Sequence, residues 1–395
     1  MDFAGIIKKC KKEWACDGLM DGAHASRCEK LPFSSPLMNW CTYGGIPRDK
    51  ITEFFGEPNG GKTTTAVDIC KNAISMFKSE YDSHIQDLNA RISNGDKSAY
   101  SELEDMESIG PKKVLYIDLE HSFDGPWAET LGIAESDINV MQPPDVPAED
   151  ILQTIEELVE TGEVGLIVLD SIPSLITRSE LDKKYGERTV ASLAGLLAIF
   201  FRKIVSKLTR YHCTLLTINQ TRDNLDNPYV VNTPGGKAPK FYAGLRIQFR
   251  IGSPVDFLGN ELPQKTENPA GYIINAKIVK QKTAPYDRKQ GSYFLMCQSG
   301  IRPDFDFASL AIKRYDAIHK AGAWFTFCDP YTGEVLEADG KPVKVNGMSK
   351  VYDYLATNTD YYEMLKKFIT DDINGISTDE GASSNDGESN QILQL

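Results

Sequence analysis

The segment Gly56-Glu57-Pro58-Asn59-Gly60-Gly61-Lys62-Thr63 follows the apolar run ITEFF (51–55) and leads into a helix-like stretch over 62–78. Its spacing, G-x4-G-K-T between a strand and a helix, is that of a loop that wraps phosphate. Glycines let backbone N–H groups come close to the oxygens, and the helix N-terminus adds positive potential. Lys62 would then reach the β- and γ-phosphates of a nucleotide, and Thr63, with Thr64 beside it, would hold Mg²⁺ through its hydroxyl. A chance glycine-rich turn is the competing account, and the other strand ends weigh against it. VGLIVLD (164–170) closes on Asp170, a carboxylate placed to orient Mg²⁺ through water. YIDLEHSFD (116–124) sets Asp118 and Glu120 where an open α/β sheet faces its ligand crevice. Glu120 is the candidate to activate an attacking water, whereas Asp124 suits a helix cap and His121 is given no role. CTLLTINQ (213–220) ends in Asn219-Gln220, a neutral amide able to hydrogen-bond a γ-phosphate.

These residues need a scaffold of buried strands. ITEFF, VLYIDL (114–119), VGLIVLD and CTLLTINQ are separated by helix-like segments at 62–78, 147–161 and 189–210. Strands apolar on both faces, alternating with helices, imply a mostly parallel sheet covered on both sides. LRIQFRI (245–251), GYIINAKIV (271–279) and GSYFLMC (291–297) follow at shorter spacing and predict antiparallel strands extending that sheet. From about residue 305, short helices and a Gly/Pro-punctuated hairpin predict a small C-terminal lobe. The expected division is therefore 1–30, a basic N-terminal segment; 31–304, the α/β core; 305–370, the lobe; and 371–395, a disordered acidic tail. Residues 79–110 carry eight acidic and two basic residues and predict a helical surface insertion in the core.

Taken together and in order, the motifs resemble the bacterial RecA recombinase family. They are GEPNGGKT (56–63), YIDLEHSFD, VGLIVLDS (164–171), TINQTR (217–222), GGKAPKFYAGLR (235–246), KIVKQKTAPY (277–286) and KAGAWF (320–325). The resemblance spans about residues 31–370. It implies a RecA-type P-loop ATPase core, an α/β fold with short N-terminal helix and small α+β C-terminal lobe. It also implies ATP and Mg²⁺ as cofactors, and a filament on single-stranded DNA that pairs with homologous duplex DNA and exchanges strands. By position, Glu120 matches the water activator, Asp124 and Trp127 the adenine contacts, and Gln220 the γ-phosphate sensor. Lys280 and Lys282 match a lysine pair that reaches the neighbouring protomer's ATP, acting like arginine fingers. Lys240 and Phe241 match the subunit interface. Two loops, Lys183–Val190 and Thr221–Pro234, match the DNA-contacting loops, with Arg188, Arg202, Arg222 and Tyr229 as candidate contacts. Leu225 stands where the family carries an aromatic, and Gly195 where it carries a basic residue. These departures and the acidic insertion place the chain on a distant branch, of cellular or viral origin. Single-strand-binding and loader or mediator proteins are the further partners implied. A hexameric RecA-fold helicase and a non-catalytic mediator are the alternatives; retention of Lys62, Thr63, Glu120, Asp170 and Gln220 weighs against the mediator.

Composition fits this picture. The 395 residues are 41% hydrophobic and 25% charged, which excludes wholesale disorder, collagen and fibre. No apolar run approaches a membrane span, and the expected location is the cytoplasm, beside the nucleoid or within a host cell. Eight cysteines, spread thinly over a long chain with no export signal, read as reduced thiols, and Cys10, Cys16, His24 and Cys28 fit no common structural-zinc spacing. A net charge of −13 at first argues against a nucleic-acid partner. Yet the insertion and the tail carry −6 each, leaving −1, and residues 202–250 hold nine basic against two acidic residues. A near-neutral core with a basic stretch is compatible with phosphate binding. By the resemblance, the tail would compete with duplex DNA for that stretch.

Overall fold

VGLIVLD illustrates how this sequence builds its sheet. Leu166 and Val168 point to one face and Ile167 and Leu169 to the other, and all four are fully buried. The first face belongs to a core that includes Phe54, Tyr116, Leu216 and Ile218, packed under Ala66, Ile69, Ala73 and Phe77 of the helix Lys62–Ser93. The second face meets Ile151, Ile155 and Val159 of the helix Ala148–Glu160, and Leu197, Phe201 and Ile204 of the helix Ser192–Tyr211. Apolar positions three and four apart explain why these segments are helices with one buried stripe.

The computed structural model describes residues 28–184, 192–221 and 232–375, with Asp2, Gly5, Lys8 and Lys9 near the start. Arg188, Arg222, Tyr229, Cys10, Cys16, His24 and the 376–395 part of the acidic tail lie outside the described residues. Among the described residues one sheet has nine strands: β1 (Ile51–Gly56), β2 (Lys113–Asp118), β3 (Asn139–Met141), β4 (Val164–Asp170), β5 (Thr214–Gln220), β6 (Leu245–Val255), β7 (Gly271–Gln281), β8 (Gln290–Met296) and β9 (Gly300–Ile301). Their order is β9-β8-β7-β6-β1-β5-β4-β2-β3. The expected α/β class is what the structure has: β1 to β6 run parallel, and β7, β8 and β9 extend the sheet antiparallel. One detail differs from the sequence reading. The run beginning LRIQFRI pairs parallel to β1 on one side and antiparallel to β7 on the other, so the change of direction falls one strand later than expected.

The phosphate-loop helix is longer than the 62–78 pattern suggests. It continues to Ser93, turns at Gly95, and is followed by a helix over Ser98–Ile109. Beyond Phe77 the long helix buries only Leu88, and the returning helix only Ala99. Arg91 closes the turn, its guanidinium 2.8 Å from both Asp96 and Glu102. Apolar periodicity fades here because the hairpin leaves the sheet, which is why sequence periodicity stops near residue 78.

After β9, the helices Pro303–Lys313, Met348–Thr357 and Thr359–Asn374 pack around strands Ile318–Ala321, Trp324–Phe327 and Lys344–Asn346. They share a separate hydrophobic cluster that includes Phe307, Ile318, Phe327, Val351, Leu355 and Leu365. Ser35 Oγ, beside the helix Pro36–Thr42, donates to the buried Asp306 carboxylate at 2.5 Å and ties this cluster to the core. No helix among the described residues is long and apolar enough to cross a membrane.

The hairpin has little burial of its own, so Leu88→Ala should loosen it by about 2–3 kcal/mol while leaving the sheet intact. Hydrogen exchange should accelerate across residues 80–109 with the protection of β1, β4 and β5 unchanged.

Candidate active site

The parallel register aligns the carboxyl ends of four strands. Gly56 pairs with Gln220, and Asp118 with Asp170, so the chemically active residues leave β1, β5, β4 and β2 at one level. At the end of β1 the chain must pass against β6: a Cβ on Gly56 would fall 2.1 Å from the Phe249 carbonyl oxygen. Gly56 and Gly61 both adopt positive φ, +154° and +80°, that a side chain would disfavour. Glu57, Pro58 and Asn59 form the exposed crown of the turn, and Gly60 is buried beneath it. Lys62 opens the helix, nearly buried, with its Nζ donating to the Glu57 carbonyl at 2.6 Å. Thr64 is half-buried one residue beyond Thr63.

Asp170 gathers this end of the site. Its Oδ2 accepts from Thr63 Oγ1 at 3.0 Å and from the buried Tyr116 hydroxyl at 2.6 Å. Burial pushes the Asp170 carboxyl up to about 6; the two hydrogen bonds pull it down, and Glu120 and Asp118 push it further up. Lys62 is depressed by burial, against the pull of Asp170, Glu120 and Glu57. Hard oxygen donors on Thr63 and Asp170, in a site where carboxylates outnumber the ammonium, suit a small divalent cation such as Mg²⁺. The narrow glycine turn, the helix N-terminus and Lys62 suit the phosphates of a nucleotide.

Asp118 is occupied in shaping the loop after β2. It accepts from the backbone N–H groups of Glu120 at 3.2 Å and Phe123 at 2.8 Å, and from Gln142 Nε2 at 2.8 Å. That turn aims Glu120 across the strand ends. Its Oε1 accepts from Ser171 Oγ at 2.5 Å and from Gln220 Nε2 at 3.1 Å. An exposed carboxylate and a strand-end amide, a hundred residues apart in sequence, thus meet beside the phosphate loop. Asp124 caps the helix Gly125–Thr130 by accepting from the Trp127 N–H at 2.9 Å, and Trp127 is half-buried on that helix.

A family model for the RecA N-terminal domain matches residues 103–302. The chain is 31% identical to Protein RecA of Thermus thermophilus over 301 residues, which is 75% of this chain and 74% of that protein. It is 29% identical to Protein RecA of Ruminococcus albus over 315 residues, 79% and 68% of the two chains, and 29% identical to that of Thermus aquaticus over 297 residues, 74% of each. The chain belongs to the RecA family. The family-model match begins inside the second helix of the acidic hairpin, so the phosphate loop at 56–63 precedes it and stands on its own geometry.

Other residues singled out in this RecA-family chain lie away from the phosphate loop. Lys280 lies at the end of β7 and Lys282 just beyond it, opposite the short helix Ala238–Tyr242. Lys280 Nζ donates to the carbonyls of Lys240 and Phe241 at 2.7 Å each, and Lys282 Nζ to that of Phe241 at 3.4 Å. Phe241 is 68% exposed, with the Lys282 ammonium 5.7 Å from its ring centre. Arg202 is exposed on the helix Ser192–Tyr211. The protomer therefore brings Lys62, Thr63, Asp170, Glu120 and Gln220 together, and keeps the Lys240–Phe241–Lys280–Lys282 group as a second surface cluster. Sequence reasoning missed Tyr116 as a partner of Asp170. Its signal was a polar hydroxyl inside the buried run Val114–Asp118, two residues before Asp118.

Burial, then the charges of Lys282 and Arg246, push the Lys280 ammonium down to about 8. Competitive acylation should give Lys280 a midpoint near 8, well below the ordinary lysine value. Between about 8 and the ordinary lysine value the folded chain binds fewer protons at this group than the unfolded chain, so its contribution to stability rises with pH across that window.

Proposed function

We propose that this chain is an ATP-dependent recombinase, a DNA-stimulated ATPase that forms filaments on single-stranded DNA and exchanges strands with homologous duplex DNA. The observation that carries the reading is the Glu120–Gln220 contact beside the phosphate loop. It joins a general base to an amide that can sense a γ-phosphate, an arrangement a passive nucleotide binder does not need.

In this reading residues 56–63 with Thr64 cradle the phosphates, and Asp124 and Trp127 flank the adenine. Thr63 and Asp170 would hold Mg²⁺. The ion, when bound, neutralises charge building on the transferred phosphoryl group. Glu120 takes a proton from the attacking water, while Lys62 and Gln220 hold the phosphate oxygens. Tyr116 and Ser171 keep Asp170 and Glu120 in place. Lys280 and Lys282 leave their carbonyl acceptors on assembly to face the neighbouring protomer's phosphates, so turnover depends on the filament. Lys240 and Phe241 contribute to that interface, and exposure of the Phe241 ring supports this. Arg188, Arg202, Arg222 and Tyr229 are the proposed DNA contacts. The proposed division is 1–30 for polymerisation, 31–304 for the ATPase core with its 79–110 insertion, 305–370 for the lobe, whose last helix runs on to Asn374 with Ile373 buried, and the remainder of 371–395 for the tail. Partners beyond DNA and further copies of the chain are single-strand-binding and loader proteins in the cytoplasm.

ATP hydrolysis measured with and without single-stranded DNA, alongside electron microscopy, tests the reading. Stimulated turnover with helical filaments is expected; closed rings that unwind duplex would make the chain a helicase, and DNA binding without hydrolysis a mediator. Glu120→Gln should lower kcat at least about a hundredfold while nucleotide affinity stays within a few-fold. Lys280→Ala should leave nucleotide binding by the lone protomer intact and abolish the DNA-stimulated part of turnover; lost binding in the protomer would contradict the trans role.

A further inference from the structure

Glu53 stands in the middle of β1, three residues before Gly56, with β5 on one side and β6 on the other. It is fully buried. A carboxylate there is costly unless its charge is matched by well-placed donors. Two side chains do so: Arg246 Nε on β6 donates to Glu53 Oε2 at 2.5 Å, and Asn219 Nδ2 on β5 donates to Glu53 Oε1 at 2.9 Å.

Neither donor ends its connections at Glu53. Asn219 Nδ2 also donates to the Pro234 carbonyl at 3.1 Å, and Asn219 Oδ1 accepts from the backbone N–H of Gln220 at 2.9 Å. Arg246 lies 4.5 Å from the centre of the Phe55 ring and pairs in register with Lys280 across β6 and β7. Through Asn219 and Arg246, one buried carboxylate is therefore linked to the strand end that carries Gln220, to Pro234 at the close of the 221–234 stretch, and to the strand beside the Lys280–Lys282 pair. Apolar residues in place of the whole Glu53–Arg246–Asn219 group can pack the strands comparably well, whereas removing Glu53 alone leaves Arg246 without its countercharge. What the charged group adds is direction, since a shift of β5 or β6 relative to β1 breaks a short, charge-assisted bond.

We propose that Glu53 is a positioning residue that couples Gln220 to the Lys280 strand through Asn219 and Arg246. This rests on the recombinase reading above for what the coupling serves, though the link itself needs no DNA. A nucleotide that draws Gln220 toward its phosphate pulls on Asn219, and the pull passes through Glu53 to Arg246 and the adjoining end of β7. The same pull acts on Pro234. Sensor and lysine pair then respond as one unit.

The test uses the full chain and Glu53→Gln, which keeps the shape and removes the charge. Hydrogen exchange is followed over 214–220 and 276–282, with and without ATPγS and without DNA, beside fluorescent-nucleotide affinity and ATP turnover on single-stranded DNA. In the unmodified chain ATPγS should protect both segments. In Glu53→Gln, affinity should stay within about threefold and protection of 214–220 should persist, while protection of 276–282 is lost. DNA-stimulated kcat should fall at least about tenfold with KM little changed. Asn219→Ser should reproduce the pattern from the other side of the link, serving also if Glu53→Gln fails to fold, and the double variant should be no worse than the poorer single one. Undiminished nucleotide protection of 276–282 in both variants overturns the proposal. So does a parallel loss of affinity and of protection in both segments, which marks a purely structural carboxylate, or an unmodified chain in which ATPγS never protects 276–282. Absence of DNA stimulation in the unmodified chain would instead sink the recombinase reading, with the exchange measurements still deciding the coupling.

Discussion

Parallel pairing in register is the constraint on which the molecule depends. Each strand from β1 to β5 reaches its carboxyl end beside a neighbour that does the same, and the pairs Gly56–Gln220 and Asp118–Asp170 fall at that edge. A slip of one residue would turn Leu166 and Val168 from one core to the other and carry Asp170 away from Thr63. Burial of both faces forbids that slip, so the same hydrophobic packing that stabilises the sheet fixes the geometry of the candidate site. The site needs no separate scaffold.

Polar groups inside the sheet then do different work on its two sides. Tyr116 is wholly buried yet points its hydroxyl at Asp170, and Asp118 spends its oxygens on the loop that aims Glu120. On the other side of β1, Glu53 holds Asn219 and Arg246. Buried donors and acceptors are expensive when left alone. Their pairing here fixes the side chains that face the crevice before any ligand arrives, which is the preorganisation an electrostatic catalyst requires.

Much of this was legible in the residues. The strand runs and the glycine turn predicted both the sheet and the phosphate loop, because hydrophobic burial and positive φ leave strong local signatures. Strand direction at β6 was not legible, since a strand that is parallel on one side and antiparallel on the other has the same pattern as either kind. The hydrogen bond from Gln220 to Glu120 was also beyond reach, as it joins residues brought together only by sheet order. Glu53 was visible as an acid within ITEFF, but its partners lie 166 and 193 positions away in sequence.

The position of the acidic hairpin decides how to weigh the chain's negative charge. It is carried on the far end of the helix that begins at Lys62, and 32 residues at about 1.5 Å each span about 48 Å. Its first acid, Glu80, is some 27 Å along that axis by the same rise. Screening at physiological salt acts over about 8 Å, so these exposed charges exert little field at the phosphate loop. The groups that set the potential there are Lys62, Glu57, Glu120 and Asp170. Net charge therefore describes the solubility of this protein far better than its choice of ligand, which is governed by a few residues at one edge of the sheet.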